Sequence, residues 1–199
     1  ADIYGLVERH DLPLTESSPI RPVSPYAASK AAADLVAQQA HLGHGQDVVR
    51  ARSFNHLGPG QSDRFVCSAL AARIVANERS GGSEVRVGNL TPRRDFTDVR
   101  DVVRAYRRMA TSGVAGQAYN VCSGRSTSVQ EVVDRLLEMS PQEMQVEVDP
   151  DLFRPADLEE LRGDPSRLVA DTGWSTEYPL DDTLKDLLED WRERLSTAD

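Results

Sequence analysis

The sequence is poor in cysteine and has no long apolar run, and each absence excludes a class of protein. Its 199 residues contain two cysteines, Cys67 and Cys122, too few for a disulfide framework and without the spacing of metal ligands. No apolar run approaches the roughly 18 residues of a membrane-spanning helix, and no basic and then apolar segment indicates export. We therefore expect no metal, no membrane partner, and the reducing cytoplasm as the compartment.

Positive charge is also scarce, and almost none of it comes from lysine. The formal net charge of −9 argues against a nucleic-acid partner, which needs a basic surface. An anionic small ligand in a locally positive pocket is still compatible with this charge. Of the 23 lysines and arginines, only Lys30 and Lys185 are lysine. Codon bias is the simplest explanation of this imbalance, but the scarcity of lysine makes a lysine inside a chemical motif harder to treat as background.

What the sequence does contain is the pattern of an α/β protein. Apolar residues make up 39% of the chain, the proportion of an ordinary globular protein. Strong helix formers run from Pro25 to Leu42 and are followed by Gly43, which we expect to end the helix. Further helices are predicted to begin near Phe65, Thr97, Ser128 and Leu184, and strands are predicted at 47–54, 85–87, 118–122 and 146–148. This alternation of helices and strands is typical of a parallel α/β fold.

The sharpest chemical signal is a tyrosine and a lysine four residues apart. Tyr26 and Lys30 lie one turn apart on the same face of the predicted helix. A phenol has a pKa near 10 and is a poor acid–base catalyst at neutral pH unless its anion is stabilised, which a neighbouring ammonium can do. The alternative is a purely structural pair, in which the tyrosine packs against the aliphatic part of a surface lysine.

Several motifs together resemble one enzyme family. The segment Ser24 to Lys30, preceded by Ile3-Tyr4-Gly5, resembles the active-site segment of the extended short-chain dehydrogenases/reductases, which include nucleotide-sugar epimerases, dehydratases and reductases. Further segments are similar to the GDP-sugar branch of that family, namely 52–62, 87–90, 94–98, 119–121 and 154–157. The resemblance covers nearly all of the chain.

The resemblance implies both the fold and its division into domains. It implies the C-terminal portion of an NAD(P)-binding Rossmann-type, doubly wound sheet, with a smaller α/β substrate-binding domain. Residues 1–60 would carry the Tyr-Lys helix in the dinucleotide-binding domain, and 61–199 would form mainly the nucleotide-sugar domain, with segments around 90–122 returning to the Rossmann sheet. We expect the N-terminal half of the enzyme to precede Ala1, because the glycine-rich turn that receives the cofactor pyrophosphate does not occur in the sequence.

The same resemblance implies roles for residues near the cofactor. Tyr26 would give a proton to the C4 carbonyl of the sugar while hydride arrives from the nicotinamide of NADP or NAD. Lys30 would hold the nicotinamide ribose and stabilise the Tyr26 anion. His56 matches a position that contacts the cofactor, and Asn55 matches one that contacts the sugar nucleotide.

Other residues are expected to bind the nucleotide of the substrate. By resemblance, Phe65 and Val66 flank the base, while Val87 and Asn89 lie beside the ribose; core packing is the alternative for all four. Arg94 and Arg154 match two arginines that grip the diphosphate, for which planar, permanently charged, bidentate donors are suited. Alternatively, Arg94 belongs to a solvated basic cluster, and Arg154 pairs with a nearby aspartate.

The reaction implied by the resemblance is the NAD(P)-dependent reduction of a GDP-4-keto-6-deoxyhexose. By resemblance, Asp2 stands where the dehydratases of this group carry a glutamate base, which weakens the dehydratase assignment without excluding it. Gln61 stands where they carry a cofactor-binding arginine, and the Gly-Pro-Gly-Gln-Ser loop that contains it favours the reductase. A GDP-mannose 4,6-dehydratase, a nucleotide-sugar epimerase and an inactive nucleotide-sugar-binding fragment remain alternatives. The implied partners are a GDP-linked sugar and a second copy of the chain in a homodimer or homotetramer, since in this family the Tyr-Lys helix commonly packs against its twin.

Overall fold

The computed structural model describes residues 1–153 and 158–197. Its helices are α1 (Pro25–His44), α2 (Val66–Ser80), α3 (Val99–Ser112), α4 (Val129–Glu138), α5 (Ser166–Thr172) and α6 (Leu180–Ser196). Its strands are β1 (Arg50–Ser53), β2 (Asn55–Leu57), β3 (Glu84–Val87), β4 (Arg93–Arg94), β5 (Phe96–Asp98), β6 (Ala118–Val121), β7 (Thr127–Ser128), β8 (Gln145–Val148) and β9 (Glu160–Leu161). Short 3₁₀ turns occupy Asp2–Tyr4, Arg9–Asp11 and Pro150–Leu152.

The chain forms two compact units, each assembled from three separate segments. The first unit contains Ala1–His56, Arg94–Ser126 and Glu160–Glu177, and the second unit contains Leu57–Arg93, Thr127–Glu159 and Tyr178–Asp199. The assignment of the cofactor to residues 1–60 and of the nucleotide sugar to 61–199 stays a prediction, since the fold alone carries no ligand chemistry.

The first unit is built on the parallel pair β1 and β6, whose register runs from Arg50 opposite Ala118 to Ser53 opposite Val121. Parallel neighbours need a crossover connection, and here that connection contains further helices. Side chains from α3, β6, α5 and the following turn form one core cluster: Val102, Ala105, Met109, Tyr119, Val121, Leu168 and Trp174. The parallel pairing confirms the α/β fold expected from the alternation of elements.

The second unit contains another parallel pair, β3 and β8, packed with α2, α4 and α6. Two polar contacts attach α6 to α2. The Trp191 indole N–H donates to the Ser68 hydroxyl at 2.9 Å, and Arg192 donates two hydrogen bonds of 2.8 Å to the Glu78 carboxylate. Since two bonds to one carboxylate restrict rotation as well as distance, α6 is held in a fixed orientation on α2.

Helix α1 begins as the sequence predicts but ends later. The Ser24 hydroxyl accepts a hydrogen bond from the Ala27 amide, and Pro25 occupies the first helical position, where its missing N–H costs nothing. The prediction that Gly43 ends the helix is wrong: α1 continues to His44 and is capped by Gly45, whose φ of 66° lies in the left-handed region. The helix ends at the glycine that can adopt the left-handed conformation and also form the closing hydrogen bonds to the last turn of α1.

None of the helices within the described ranges has the length and the apolar character needed to cross a membrane.

Candidate active site

Tyr26 and Lys30 lie on the first two turns of α1 and face solvent. The Tyr26 side chain is 62% exposed, and the Lys30 Nζ is 5.6 Å from the centroid of the Tyr26 ring. That distance is within the range in which an ammonium and an aromatic ring attract each other. Because the phenol is exposed and the ammonium is beside it, both groups are available to a ligand.

The segment before α1 is held by a buried tyrosine. Tyr4 is 1% exposed, and its hydroxyl donates to the Asn120 amide oxygen at 2.5 Å. Burial raises the pKa of Tyr4 above its ordinary value, and the hydrogen bonds with Arg52 and Asn120 reduce that rise without cancelling it. Tyr4 is therefore a neutral structural group that links the Asp2–Tyr4 turn to β6.

Asn55 and His56 follow β1 and are both exposed. The His56 Nδ1 lies 3.2 Å from the Phe54 carbonyl oxygen. A carbonyl only accepts hydrogen bonds, so this contact assigns Nδ1 as the donor and orients the imidazole ring. The residues that the resemblance assigns to the substrate and the cofactor are thus consecutive in β2, just after the end of β1.

Arg94 is half-buried at the end of β4. The next residue, Asp95, is fully buried and accepts hydrogen bonds from the Ser123 amide at 2.7 Å, the Ser123 hydroxyl at 2.6 Å, the Gly124 amide at 3.0 Å and the Gly163 amide at 3.3 Å. Burial nevertheless raises the pKa of Asp95 above its ordinary value. These four donors fix the backbone beside Arg94, and no local signal in the sequence predicts this anchoring role of Asp95.

The second unit holds four further residues named from the sequence: Phe65, Val66, Val87 and Asn89. Phe65 and Val66, at the start of α2, are 58% and 38% exposed. Val87 is 1% exposed and packs in the core. The Asn89 side-chain oxygen accepts hydrogen bonds from the Thr91 amide at 3.1 Å and the Thr91 hydroxyl at 2.9 Å. Of the four, Phe65 and Val66 present apolar surface to solvent.

The Gly-Pro-Gly-Gln loop at 58–61 is held by the last helix. The Gly60 amide donates to Asp190 at 3.0 Å, and Arg194 donates to the Gln61 carbonyl oxygen at 3.1 Å. The Ser68 hydroxyl donates to the same carbonyl oxygen at 2.9 Å. Since loops are positioned by the scaffold beneath them, α6 and α2 determine the shape of this loop.

Arg154 lies outside the described residues. Across residues 1–153 and 158–197, no group of three or more His, Cys, Asp or Glu side chains is arranged to hold a metal ion. Tyr26, Lys30, Asn55, His56 and Arg94 lie in the first unit. The structure therefore gathers the residues expected at the cofactor and the sugar in one unit, together with Arg94.

Comparisons with a family model, with characterised proteins and with solved structures give consistent results. The family model for GDP-mannose 4,6 dehydratase matches residues 1–187. A GDP-6-deoxy-D-mannose reductase from Pseudomonas aeruginosa is 39% identical over 98% of this chain and 64% of its own length. A dTDP-glucose 4,6-dehydratase from Streptomyces griseus is 36% identical over 69% of this chain and 40% of its own length.

The solved structure of RMD from Pseudomonas aeruginosa complexed with NADPH superposes with a TM-score of 0.92 at 37% identity. The match covers 98% of this chain and 65% of that chain. The sequence thus spans just under two thirds of the length of these two Pseudomonas aeruginosa relatives, and the Rossmann-like fold expected from its motifs is confirmed.

Proposed function

The chain belongs to the GDP-mannose 4,6-dehydratase family, and we propose that it is part of an NADPH-dependent enzyme that reduces a GDP-4-keto-6-deoxyhexose. The observation that carries the proposal is the exposed Tyr26–Lys30 pair on α1, in a chain that is 39% identical to a GDP-6-deoxy-D-mannose reductase. NADP or NAD is the cofactor expected from the sequence, and the NADPH bound by the structural relative supports the phosphorylated form.

The residues on α1 fit the nicotinamide ribose. Lys30 is exposed and carries three N–H donors, enough for both ribose hydroxyls and the neighbouring phenol. Tyr26 is one helical turn away, so the two groups can contact one ribose from the same side. When bound, the cofactor supplies the hydride. His56, with its ring oriented by the Phe54 carbonyl, would contact the cofactor beside them.

The chemical role of Tyr26 is to give a proton. As C4 of the sugar gains hydride, its carbonyl oxygen becomes an alkoxide and takes the phenolic proton, leaving an alcohol. The Lys30 ammonium stabilises the phenolate that is left, and a proton from solvent restores the phenol. General acid catalysis of this kind contributes about 10²–10⁴-fold to a rate.

In this proposal, arginines bind the diphosphate of the substrate and exposed apolar side chains flank its base. Arg94 and Arg154 would hold the diphosphate through bidentate, charge-assisted hydrogen bonds, and Asn55 would contact the sugar. Phe65 and Val66, exposed at the start of α2, would flank the base, while the Val87 and Asn89 segment would lie beside the ribose. Remote binding energy at the diphosphate then orients the reacting carbon.

The test is turnover of GDP-4-keto-6-deoxymannose with NADPH by the full-length polypeptide that contains this chain, followed as NADPH oxidation with identification of the sugar product. Lys30→Met should lower kcat by about 10²-fold or more, because the phenolate loses its counter-charge. Lys185→Met is the matched control: it removes the other lysine of these 199 residues, which lies on α6, and should leave kcat unchanged. Equal effects of both changes would remove Lys30 from the mechanism.

A 4,6-dehydratase is the second candidate, because the matching family model and the Streptomyces griseus relative both carry that activity in their names. In such an enzyme Asp2, which is exposed, would act as the base at C5. Incubation with GDP-mannose and NADP separates the two candidates. A dehydratase forms a 4-keto-6-deoxy sugar from GDP-mannose, whereas a reductase leaves GDP-mannose unchanged.

We also propose a homodimer or homotetramer formed through α1. This 20-residue helix buries only Ala27 and Ala31, and leaves Leu35, Val36 and Leu42 at 57%, 67% and 74% exposure. Ala32 is exposed as well, so Ala32 and Leu35 could contribute to a helix–helix contact, whereas Ala31 is already covered. Light scattering of the wild type and of Leu35→Glu tests this: the charged variant should be monomeric.

A further inference from the structure

Apolar packing holds α1 only weakly. Ala27 and Ala31 are the two buried residues of this fully described helix, and an alanine side chain offers little surface to pack. Yet α1 carries Tyr26 and Lys30, whose positions must be fixed closely for a proton to pass between the phenol and a carbonyl oxygen. Polar contacts must therefore determine where α1 lies on the sheet.

Asp34 provides those contacts. It lies one turn after Lys30 and two turns after Tyr26 on α1, and its side chain is 8% exposed. Arg52 donates to both of its carboxylate oxygens, from Nε at 3.0 Å and from Nη2 at 2.8 Å, and Arg50 Nη1 donates at 2.7 Å. Both arginines belong to β1. A bidentate pair restricts orientation as well as distance, so α1 cannot slide or rotate on β1 without breaking it.

The contacts continue from Arg52 into the rest of the first unit. Arg52 Nη1 donates to the Tyr4 hydroxyl at 3.3 Å and to the Glu16 carbonyl oxygen at 2.9 Å. The Glu16 carboxylate in turn accepts a hydrogen bond from the backbone N–H of Asn120 at 2.7 Å. Asp34 is thus connected through Arg52 to the Asp2–Tyr4 turn and to β6. Burial alone would raise the pKa of Asp34, but hydrogen bonds and positive charge from Arg52 and Arg50 outweigh burial and lower it.

From this arrangement we propose that Asp34 is a positioning residue for the reaction: gripped by Arg50 and Arg52, its carboxylate sets the register of α1 on β1. That register determines where Tyr26 and Lys30 lie relative to Asn55 and His56, which follow the end of β1. The inference rests on the proposed function, because it assigns Asp34 an effect on the same reaction.

The test compares two aspartates whose side chains are almost fully covered, at 8% exposure for Asp34 and 0% for Asp101, in the full-length polypeptide that contains this chain. Asp34→Asn keeps the shape of the side chain but removes the charge between the arginines. Asp101→Asn is the matched control: Asp101 is also buried on a helix of the first unit, where it accepts from Arg104 and from the Glu177 amide. Both changes should lower the melting temperature, whereas only Asp34→Asn should lower kcat.

We expect kcat of Asp34→Asn to fall by about tenfold to a hundredfold, the effect of a displacement of about 1 Å at a reacting group. KM for the GDP-sugar should change by less than about threefold, because Arg94 is not on α1 and a loss confined to the transition state appears in kcat. Asp34→Glu is the second variant. It keeps the charge and the pairing but adds one methylene, so it should fold close to the wild type and still have a reduced kcat.

Two results would overturn the proposal while the wild type is active. One is a wild-type kcat in the folded Asp34 variants. The other is an equal loss of kcat in Asp34→Asn and Asp101→Asn that follows the melting temperature. A wild type that does not reduce the GDP-sugar at all would instead overturn the proposed function, and the role of Asp34 with it, so the two failures are distinguishable.

Discussion

Gly88 and Leu152 lie in backbone contact, so that a Cβ added to Gly88 would stand 2.7 Å from the Leu152 carbonyl oxygen. Gly88 follows β3, and Leu152 ends the 3₁₀ turn that precedes Arg154 by two residues. Backbone atoms cannot yield as the end of a flexible side chain can. Gly88→Ala must therefore displace the turn. We expect it to weaken GDP binding by about tenfold, because the proposed charge-assisted contact between Arg154 and the diphosphate, about 1.5 kcal/mol or more, is lost.

Calorimetric titration of GDP into Gly88→Ala measures this effect, and thermal unfolding of the same sample is its control. A loss of affinity in a protein that still unfolds cooperatively near the wild-type temperature supports the role of the turn. Unchanged affinity would show that the turn does not contribute to the nucleotide site.

The pair formed by Asp34 and Arg52 predicts the pH dependence of stability. Folding lowers the pKa of Asp34, so its contribution is fully present above the pKa of an unfolded aspartate, about 3.9, and is lost as pH falls through the lower folded value. At neutral pH, Asp34→Asn should cost about 3 kcal/mol, since it leaves buried arginines without their counter-charge.

Urea unfolding of wild type and Asp34→Asn at a series of pH values tests this. The difference in free energy of unfolding should be constant from about pH 7 to about pH 5 and should shrink below about pH 4. A difference that stays constant in acid would mean that the charge of Asp34 does not stabilise the fold.

Gly5 is expected to tolerate no side chain. Its φ of 59° lies in the left-handed region, and a Cβ would stand 1.5 Å from the Arg21 carbonyl oxygen. Positive φ alone costs about 1–3 kcal/mol for other residues, and the overlap adds to this. Gly5→Ala should therefore lower the free energy of unfolding by more than about 3 kcal/mol, measured by urea unfolding; a smaller loss would contradict the close packing of these two segments.

Gly43→Ala should have the opposite effect. Gly43 lies inside α1, and a Cβ there would meet only the flexible end of the Gln39 side chain. Alanine restricts the unfolded chain, so we expect a gain of about 0.4–1 kcal/mol in the free energy of unfolding. The same urea titration measures it, and a loss of stability would indicate that Gln39 cannot move aside.

The two cysteines should be unreactive in the folded protein. Both are buried and unpaired by a disulfide. Burial raises the pKa of Cys67 to about 12, and burial together with the charge of Asp95 raises the pKa of Cys122 as well. Since the thiolate is the reactive form, a thiol reagent at neutral pH should label neither residue until denaturant is added. Fast labelling of the native protein would contradict this burial.

Local signals in the sequence predicted the start of a helix wherever the capping contact joins residues close together in the chain. The helix start predicted near Ser128 is confirmed, because Ser128 and Glu131, three residues apart, exchange capping hydrogen bonds of 3.0 Å and 2.7 Å at the start of α4. The start of α3 after Asp98 is confirmed for the same reason. The end of α1 was not predictable, because Gly43 and Gly45 carry the same local signal and only the closing hydrogen bonds decide between them.

The residues of the candidate site also fall into those that are predictable from local spacing and those that are not. Tyr26 and Lys30 could be paired from their spacing, because helical geometry brings residues four apart together. Asp34 and Arg52 could not be, since they are 18 positions apart and meet only after α1 has packed on β1. The anchoring of Asp95 also depends on three separated segments, so sequence alone could not reveal it.

The most direct test of the GDP-sugar assignment is calorimetric titration of GDP, with Arg94→Ala compared with Arg108→Ala, which removes an equal charge from the exposed side of α3 in the same unit. We predict that the wild type binds GDP, that Arg94→Ala binds it about tenfold to a hundredfold more weakly, as loss of a charged hydrogen bond implies, and that Arg108→Ala matches the wild type. If GDP binds neither this chain nor its full-length polypeptide, or if both arginine variants bind it equally, the assignment is wrong.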